Sequence, residues 1–575
     1  MNIFEEYKDK IISILKKAKE DNLLILPDNL NSVNVDSTPP KIDFDISTNV
    51  SMVLAKPNNK SPNDLALILI DILKKEDKSI EEISFAKPGF INIKFNKDFW
   101  SNFTNKLISS PNNYGSSNKN KKKYLVEFVS ANPTGPLHVG HCRGAILGDS
   151  LSNLLIFNGN KITREYYVND AGGQINNFVT SVYYRILEKT TNKPFPSDQD
   201  LYPGNYITDI AEKIIKNKTI KNFNNFNKIY NTLKKEALKY SMQLVMQNLK
   251  LLGVKHNNFI HESKLIDKKI VSKAIKKLQN KKYIYKGKLA APKGEEIQNW
   301  KSRDQLLFKS TIFGDEIDRP LTKADGSWTY FASDIAYHSN KISRKYDVLI
   351  NILGADHSGY IKRITSAVKA MSENKINLIC KVSQLVKLFK NGEPYKMSKR
   401  KGDYVTVEDL VNEVGKDSTR FMMLNRGNDV ELDFDFQKVT EKSKDNPVFY
   451  VQYAYARINS IFRMLNLKLK TKIKLKDVNF NLNEHELKIL KKISEWPKCV
   501  ELSSSKLEPH RIPFYLYELV TIFHSYWNLG KANKEFRFIS DDNKLNKSRL
   551  VLIQALAIVI NNGMTILGVS TPSSM

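Results

Sequence analysis

His138 and His141 stand three residues apart in Leu137-His-Val-Gly-His141, and Lys396 and Lys399 repeat that spacing in Lys396-Met-Ser-Lys-Arg400. On the first turn of a helix, two imidazoles at i and i+3 share a face beside unpaired N–H groups and a positive dipole end, a setting that binds phosphate. Two ammonium groups on a glycine-bounded loop suit the oxygens of a triphosphate, whose charge is redistributed as pyrophosphate departs. Tyr330 and Asp334, at i and i+4, offer a phenol and a carboxylate to one ligand if their segment is helical. In Gly354-Ala-Asp356-His357 the glycine admits a close backbone approach and Asp356 can accept from ribose hydroxyls. Taken singly, each pattern also fits an ordinary turn, a basic surface loop or an exposed helix.

The surrounding elements decide how these groups are presented. Leu125 to Val129 reads as a short buried strand, Asn132-Pro-Thr-Gly-Pro136 as a turn, and the apolar positions beyond Gly140 return at helical spacing to about Asn158. Ile162 to Val168 reads as a second strand, which makes a βαβ unit with a parallel pair. Ligands of such sheets bind outside the carboxyl ends of the strands, where both histidines fall. Tyr166-Tyr-Val-Asn169-Asp170-Ala-Gly172-Gly173-Gln174 is a loop at the end of that second strand. Asp347 to Leu353 is a further buried strand leading into Gly354, and Leu385 to Phe389 an apolar run before the lysines. Thr406-Val-Glu-Asp409 has the form of a capped helix start.

The chain has 575 residues, enough for about two to four domains. A hydrophobic share of 41% with 10% aromatic residues excludes a disordered chain. Lys+Arg 90 against Asp+Glu 61 gives +29, which suits nucleic acid or anionic lipid, or reflects a lysine-rich composition with no such meaning. Cys142, Cys380 and Cys499 are too dispersed for a zinc site or a disulfide framework, as expected in a reducing compartment. The first residues lack a signal pattern, and the apolar run Leu550 to Ile560 is shorter than the roughly 20 residues of a bilayer span. A soluble cytoplasmic protein is expected.

Four segments follow: 1–110, a small α/β domain with a helix capped by Ser61 and strands at Ile83–Phe85 and Ile91–Phe95; 111–123, a polar linker; 124–445, the parallel-sheet domain; and 446–575, almost entirely helical. Within the third, about 175–300 reads as a lysine-rich helical insertion. The fold class is therefore multidomain α/β plus all-α: a Rossmann-like parallel sheet with helical insertions, a small N-terminal α/β domain and a C-terminal helical bundle.

Glu127-Phe-Val-Ser-Ala-Asn-Pro-Thr-Gly-Pro-Leu-His-Val-Gly-His141 closely resembles the first ATP-binding signature of class I aminoacyl-tRNA synthetases, in the form seen in arginyl-tRNA synthetases. Lys396-Met-Ser-Lys399 matches the second signature, with Arg400 in place of its final serine. Asp43-Phe-Asp45, Pro88-Gly-Phe-Ile-Asn92, the run from Tyr450 to Arg457 and the ending Leu567 to Met575 resemble the N-terminal and anticodon-binding domains of the same family. The resemblance implies ATP, carried with Mg2+, as the substrate complex, L-arginine and tRNA(Arg) as partners, no membrane, no protein-bound zinc and a monomer. His138, His141, Lys396 and Lys399 become the catalytic set. Pro136, His138, Gly140, His141, Gly354, Asp356, His357, Lys396, Met397, Ser398 and Lys399 would bind ATP. Glu127, Ser130, Asn132, His138, Tyr330 and Asp334 would bind arginine, and Tyr450, Gln452, Tyr453, Arg457 and Met575 tRNA. A class I synthetase for another amino acid, a related small-molecule ligase and a non-catalytic RNA-binding paralogue are the rivals, separable by amino-acid-dependent exchange, RNA dependence and adenylate formation.

Overall fold

The structure is a computed structural model. It describes residues 2–39, 41–117, 121–197, 200–267, 269–289, 303–395, 405–469, 471, 480–539 and 546–575. The chain forms two compact units, 119–441 and 1–118 with 442–575.

The unit 119–441 is built on a five-stranded parallel sheet. Its strands lie in the order Asn377–Ser383, Val348–Gly354, Lys123–Glu127, Lys161–Val168, Asn258–His261. Chain direction across the sheet reverses between Lys123–Glu127 and Val348–Gly354, so a crevice opens at the carboxyl ends of those two strands. Leu125, Leu349, Ile364, Val368 and Leu378 form one buried cluster under it. The helix Val139–Phe157 joins the parallel strands Lys123–Glu127 and Lys161–Val168, so its N-terminus falls at their carboxyl ends.

Within the stretch read as an insertion, Gly173–Thr191, Asn205–Asn217 and Phe226–Leu251 are helices packed round a core of their own, including Phe178, Ile210 and Leu233. The same stretch also supplies the outer strand of the parallel sheet, Asn258–His261, in register with Glu165–Val168. Four residues are too few to show alternation, so helical periodicity on both sides hid the strand. Residues 290–302, the end of that stretch, lie outside the described residues.

The second unit carries an antiparallel four-stranded sheet, Val35–Ser37, Ile46–Thr48, Phe90–Phe95 and Ile80–Ala86 in spatial order, with helices Ile3–Glu20, Pro62–Glu76 and Lys97–Ser109. Ser61 caps the second of these helices, its hydroxyl accepting from the Asp64 N–H at 3.2 Å. Residues 447–567 supply five α-helices among the described residues. The last, Lys547–Leu567, is long and apolar enough to cross a membrane, yet it is mostly buried at the centre of this bundle. The polar segment read as a linker includes Tyr114, which is buried: its hydroxyl donates to the Ile493 carbonyl at 2.8 Å and its carbonyl accepts from Trp496 Nε1 at 2.9 Å.

Candidate active site

His138 is the N-cap of the helix Val139–Phe157, and His141 is its third residue. The Gly140 N–H donates to His138 Nδ1 at 3.1 Å and the His138 N–H donates to His141 Nδ1 at 3.3 Å. The rings lie 3.9 Å apart. With both Nδ1 lone pairs engaged by backbone donors, each imidazole carries its hydrogen on Nε2 and acts as a donor there. Gly140 is exposed, and a Cβ there would meet the His138 ring at 2.8 Å.

The lysine signature, Lys396, Met397, Ser398 and Lys399, lies outside the described residues. The chain on either side of it is placed. Val386–Lys390 and Glu393–Pro394 form a hairpin leading in, and Tyr395 N–H donates to the Leu388 carbonyl at 2.7 Å. After it, Val139 N–H donates to the Val405 carbonyl at 3.0 Å and Val407 N–H to the Leu137 carbonyl at 2.9 Å, so Thr406 lies opposite His138. Thr406 then caps the helix Val407–Val414 reciprocally with Asp409. Buried Arg143, on the histidine helix, donates to the carbonyls of Gln384, Gly427 and Val430, at 3.1, 2.8 and 2.6 Å. Burial pulls its guanidinium down to about 10.

A cluster of acids gathers past the end of the central strand. Glu127, at the end of the central strand, pairs with the fully buried Lys341, whose ammonium also donates to Asn351 Oδ1 at 2.8 Å. Asn351 Nδ2 meets His338 Nε2 at 2.9 Å, and His338 Nδ1 meets the Asp334 carbonyl at 2.9 Å. An amide nitrogen only donates and a carbonyl only accepts, so His338 is neutral with its hydrogen on Nδ1. Burial, with Lys341 nearby, holds it well below the usual histidine range.

Asp334 sits on the helix Tyr330–Ser343, and its Oδ2 accepts from the Tyr360 hydroxyl. Burial pushes its carboxyl up to about 7, and Glu127 and Glu262 add to the rise against the opposing Tyr360 hydroxyl and Lys341. Tyr330 shares the helix as its spacing predicts, but the residue is 71% exposed, with its ring 5.3 Å from the Lys323 ammonium. Glu262 is buried and likewise raised, by burial and then by Asp170. Asp170 itself is held by Ser263, through its N–H and its hydroxyl, both at 2.8 Å, and lies 2.9 Å from His261 Nδ1. Glu262, Asp334, Glu127 and Asp170 all face Tyr167, whose phenol burial and these charges raise far above its ordinary range. Among the described residues these four carboxyls lie near a single buried ammonium, and burial holds Asp334 and Glu262 toward their neutral forms; a cation brought among them would draw both into the charged form.

Ser130 donates to Glu127 Oε1 at 3.0 Å, and Asn132 Nδ2 to Gln174 Oε1 at 2.6 Å. Gly354, which ends its strand, leads into the short helix Ala355–Tyr360, where Asp356 and His357 are exposed, 3.5 Å apart. Pro136 is half-buried at the turn before the histidines. Sequence reading missed Glu262, Lys341 and Tyr360. Lys341, in the last turn of its helix, reads as a solvated cation, Tyr360 follows Ser358-Gly359 with no periodic signal, and Glu262 follows the unrecognised strand.

In the other unit, Tyr450, Gln452, Tyr453 and Arg457 share the helix Pro447–Met464. Arg457 stacks on Tyr453 at 4.1 Å and lies 5.0 Å from the Trp527 ring and 2.9 Å from His524 Nδ1. Tyr450 packs on His524 at 4.2 Å, and Gln452 donates to the Ser570 carbonyl at 3.0 Å. Met575 is exposed.

Residues 103–462 match the family described as tRNA synthetases class I (R), catalytic domain. Residues 5–95 match the arginyl tRNA synthetase N terminal domain and 451–575 the DALR anticodon binding domain. An arginine–tRNA ligase of Pelagibacter ubique is 58% identical over 577 residues, covering all of both chains. The chain belongs to the arginine–tRNA ligase family. A relative of the same name from Roseobacter denitrificans is 43% identical, again over the whole of both chains. The arginyl-tRNA synthetase structure of Thermus thermophilus covers 99% of this chain and 100% of its own at a TM-score of 0.69 and 17% identity, a likeness of fold.

Proposed function

We propose that the chain ligates L-arginine to tRNA(Arg) at the expense of ATP. An arginine carboxylate oxygen attacks the α-phosphorus of Mg-ATP, the bond to the β-phosphate bridging oxygen breaks, and pyrophosphate leaves. The 2′ hydroxyl of the terminal adenosine then attacks the arginyl carbonyl, loses its proton and displaces AMP. No protein nucleophile takes part.

Under this reading His138 and His141 donate from Nε2 to phosphate oxygens, and Lys396 and Lys399 stabilise the departing pyrophosphate. Pro136, Gly140, Gly354, Asp356, His357, Met397 and Ser398 shape the nucleotide site. Asp334 takes the guanidinium by charge-assisted hydrogen bonds, with Tyr330 and Glu262 beside it, and Glu127, Ser130 and Asn132 hold the rest of the amino acid. Tyr450, Gln452, Tyr453, Arg457 and Met575 serve tRNA in the helical bundle. Mg2+ enters with ATP; among the described residues no cluster of acids, histidines and cysteines suits a metal ion. The enzyme acts as a cytoplasmic monomer, and tRNA precedes adenylate formation.

One observation carries the reading. Val405 and Val407, which follow the lysine signature, are hydrogen-bonded to Val139 and Leu137, which flank His138. Charging of total tRNA with labelled arginine tests it. Arginine-specific, ATP-dependent labelling is expected, and labelling by another amino acid alone would refute it.

A further inference from the structure

The central strand does not simply stop at Glu127. Phe128 N–H still donates to the Glu165 carbonyl at 3.3 Å, and the chain then turns sharply: Ser130 N–H donates to the Phe128 carbonyl at 3.1 Å. This three-residue turn is centred on Val129 at φ 70°, and Ser130 follows at φ 42°. Two consecutive non-glycine residues in the left-handed region are unusual, and a β-branched one is the less tolerated of the two. Such backbone persists only where its surroundings over-determine it.

The surroundings are specific. The Phe128 ring is fully buried against Gly148, where a Cβ would come within 2.2 Å of it. Tyr166 donates to the Ala131 carbonyl at 2.8 Å. Ser130 Oγ accepts from the Tyr167 N–H at 3.1 Å and donates to Glu127. The remaining contact comes from far along the chain. His256 Nε2 lies 3.2 Å from the Phe128 carbonyl, and its ring lies 4.2 Å from the Phe128 ring, edged by Tyr166 and Phe259. A carbonyl oxygen only accepts, so Nε2 carries the hydrogen. Nδ1 is buried and has no hydrogen-bond partner among the described residues. Burial holds this imidazole down to about 4, so it stays neutral at physiological pH.

We infer that His256 is a positioning residue for the amino-acid pocket: its Nε2–H holds the Phe128 carbonyl, fixes the left-handed turn at Val129 and Ser130, and so aims the Ser130 hydroxyl at Glu127. It touches no substrate. The inference rests on the assignment of Glu127 and Ser130 to arginine.

His256→Phe keeps a ring between Phe128, Tyr166 and Phe259 and removes the donor. His256→Gln returns an N–H donor near the position of Nε2. In arginine-charging kinetics the Phe variant is expected to raise the KM for arginine about tenfold, with the KM values for ATP and tRNA within about twofold of wild type. The Gln variant should recover to within about threefold. A packing defect would instead lower the Tm and disturb all three KM values together. Should the Phe variant not fold, His256→Met, which matches Gln in length and lacks a donor, takes its place in the comparison. A donor-less variant with wild-type arginine KM, or a Gln variant no better than the donor-less one, overturns the inference. Wild-type enzyme that does not charge with arginine would overturn the functional reading instead.

Discussion

Arginine affinity should depend on pH through Asp334. Its carboxyl, pushed up to about 7, faces Tyr360, Glu127, Glu262 and Lys341, and a guanidinium must meet it ionised. At pH 6, one unit lower, about a tenth of free enzyme has Asp334 ionised. Apparent affinity should then be about tenfold weaker than its plateau above pH 8, a difference of ~1.4 kcal/mol. Binding draws the carboxyl into its charged form, so close to one proton should be released per arginine at about pH 6 and almost none at about pH 8.5. Titration calorimetry in two buffers of different ionisation heat reads both quantities, and Asp334→Asn should flatten the profile. The stability sign follows from the same shift. An unfolded Asp titrates near 3.8, so between about pH 4 and 7 the folded state holds the extra proton and stability falls as pH rises. An arginine affinity that is flat from pH 6 to 8.5, with no proton release, refutes the reasoning.

Asp334→Asn should melt no lower than wild type at about pH 8, because it removes a buried charge, while losing about 10- to 150-fold in kcat/KM for arginine; a lower Tm with full activity would contradict this. Lys399→Ala should slow adenylate formation about 100-fold or more and leave tRNA affinity within about twofold, and a wild-type pre-steady-state rate would contradict it. Lys341→Met strands Glu127 without its counter-ion, and urea denaturation should show a loss of ~3–5 kcal/mol; a loss below ~1 kcal/mol would mean that the pair is solvated.

Local rules reached the elements whose signals are local. The strand, turn and helix around His138 were legible because proline and glycine separate two unmistakable periods, and Ser61 and Thr406 announced their helices by capping chemistry. The pocket was legible only by half. Spacing gives Asp334 a neighbour on its own helix, Tyr330, whereas the phenol that donates to it comes from Tyr360, 26 residues on. Lys341 in the last turn of a helix reads as a solvated cation. Its burial depends on Glu127 and Asn351, supplied by two strands far apart in sequence. His256 carries no periodic signal at all, and its partner is a backbone carbonyl 128 residues away. Pairings of that kind are set by sheet order, which no local pattern records.

Crystals of the enzyme with a non-hydrolysable ATP analogue and Mg2+ test the central claim most directly. The account predicts His138 and His141 Nε2 and the Lys396 and Lys399 ammonium groups within about 4 Å of oxygens on one and the same triphosphate. A nucleotide bound by the imidazoles alone, with both ammonium groups turned to a separate cavity, would contradict it.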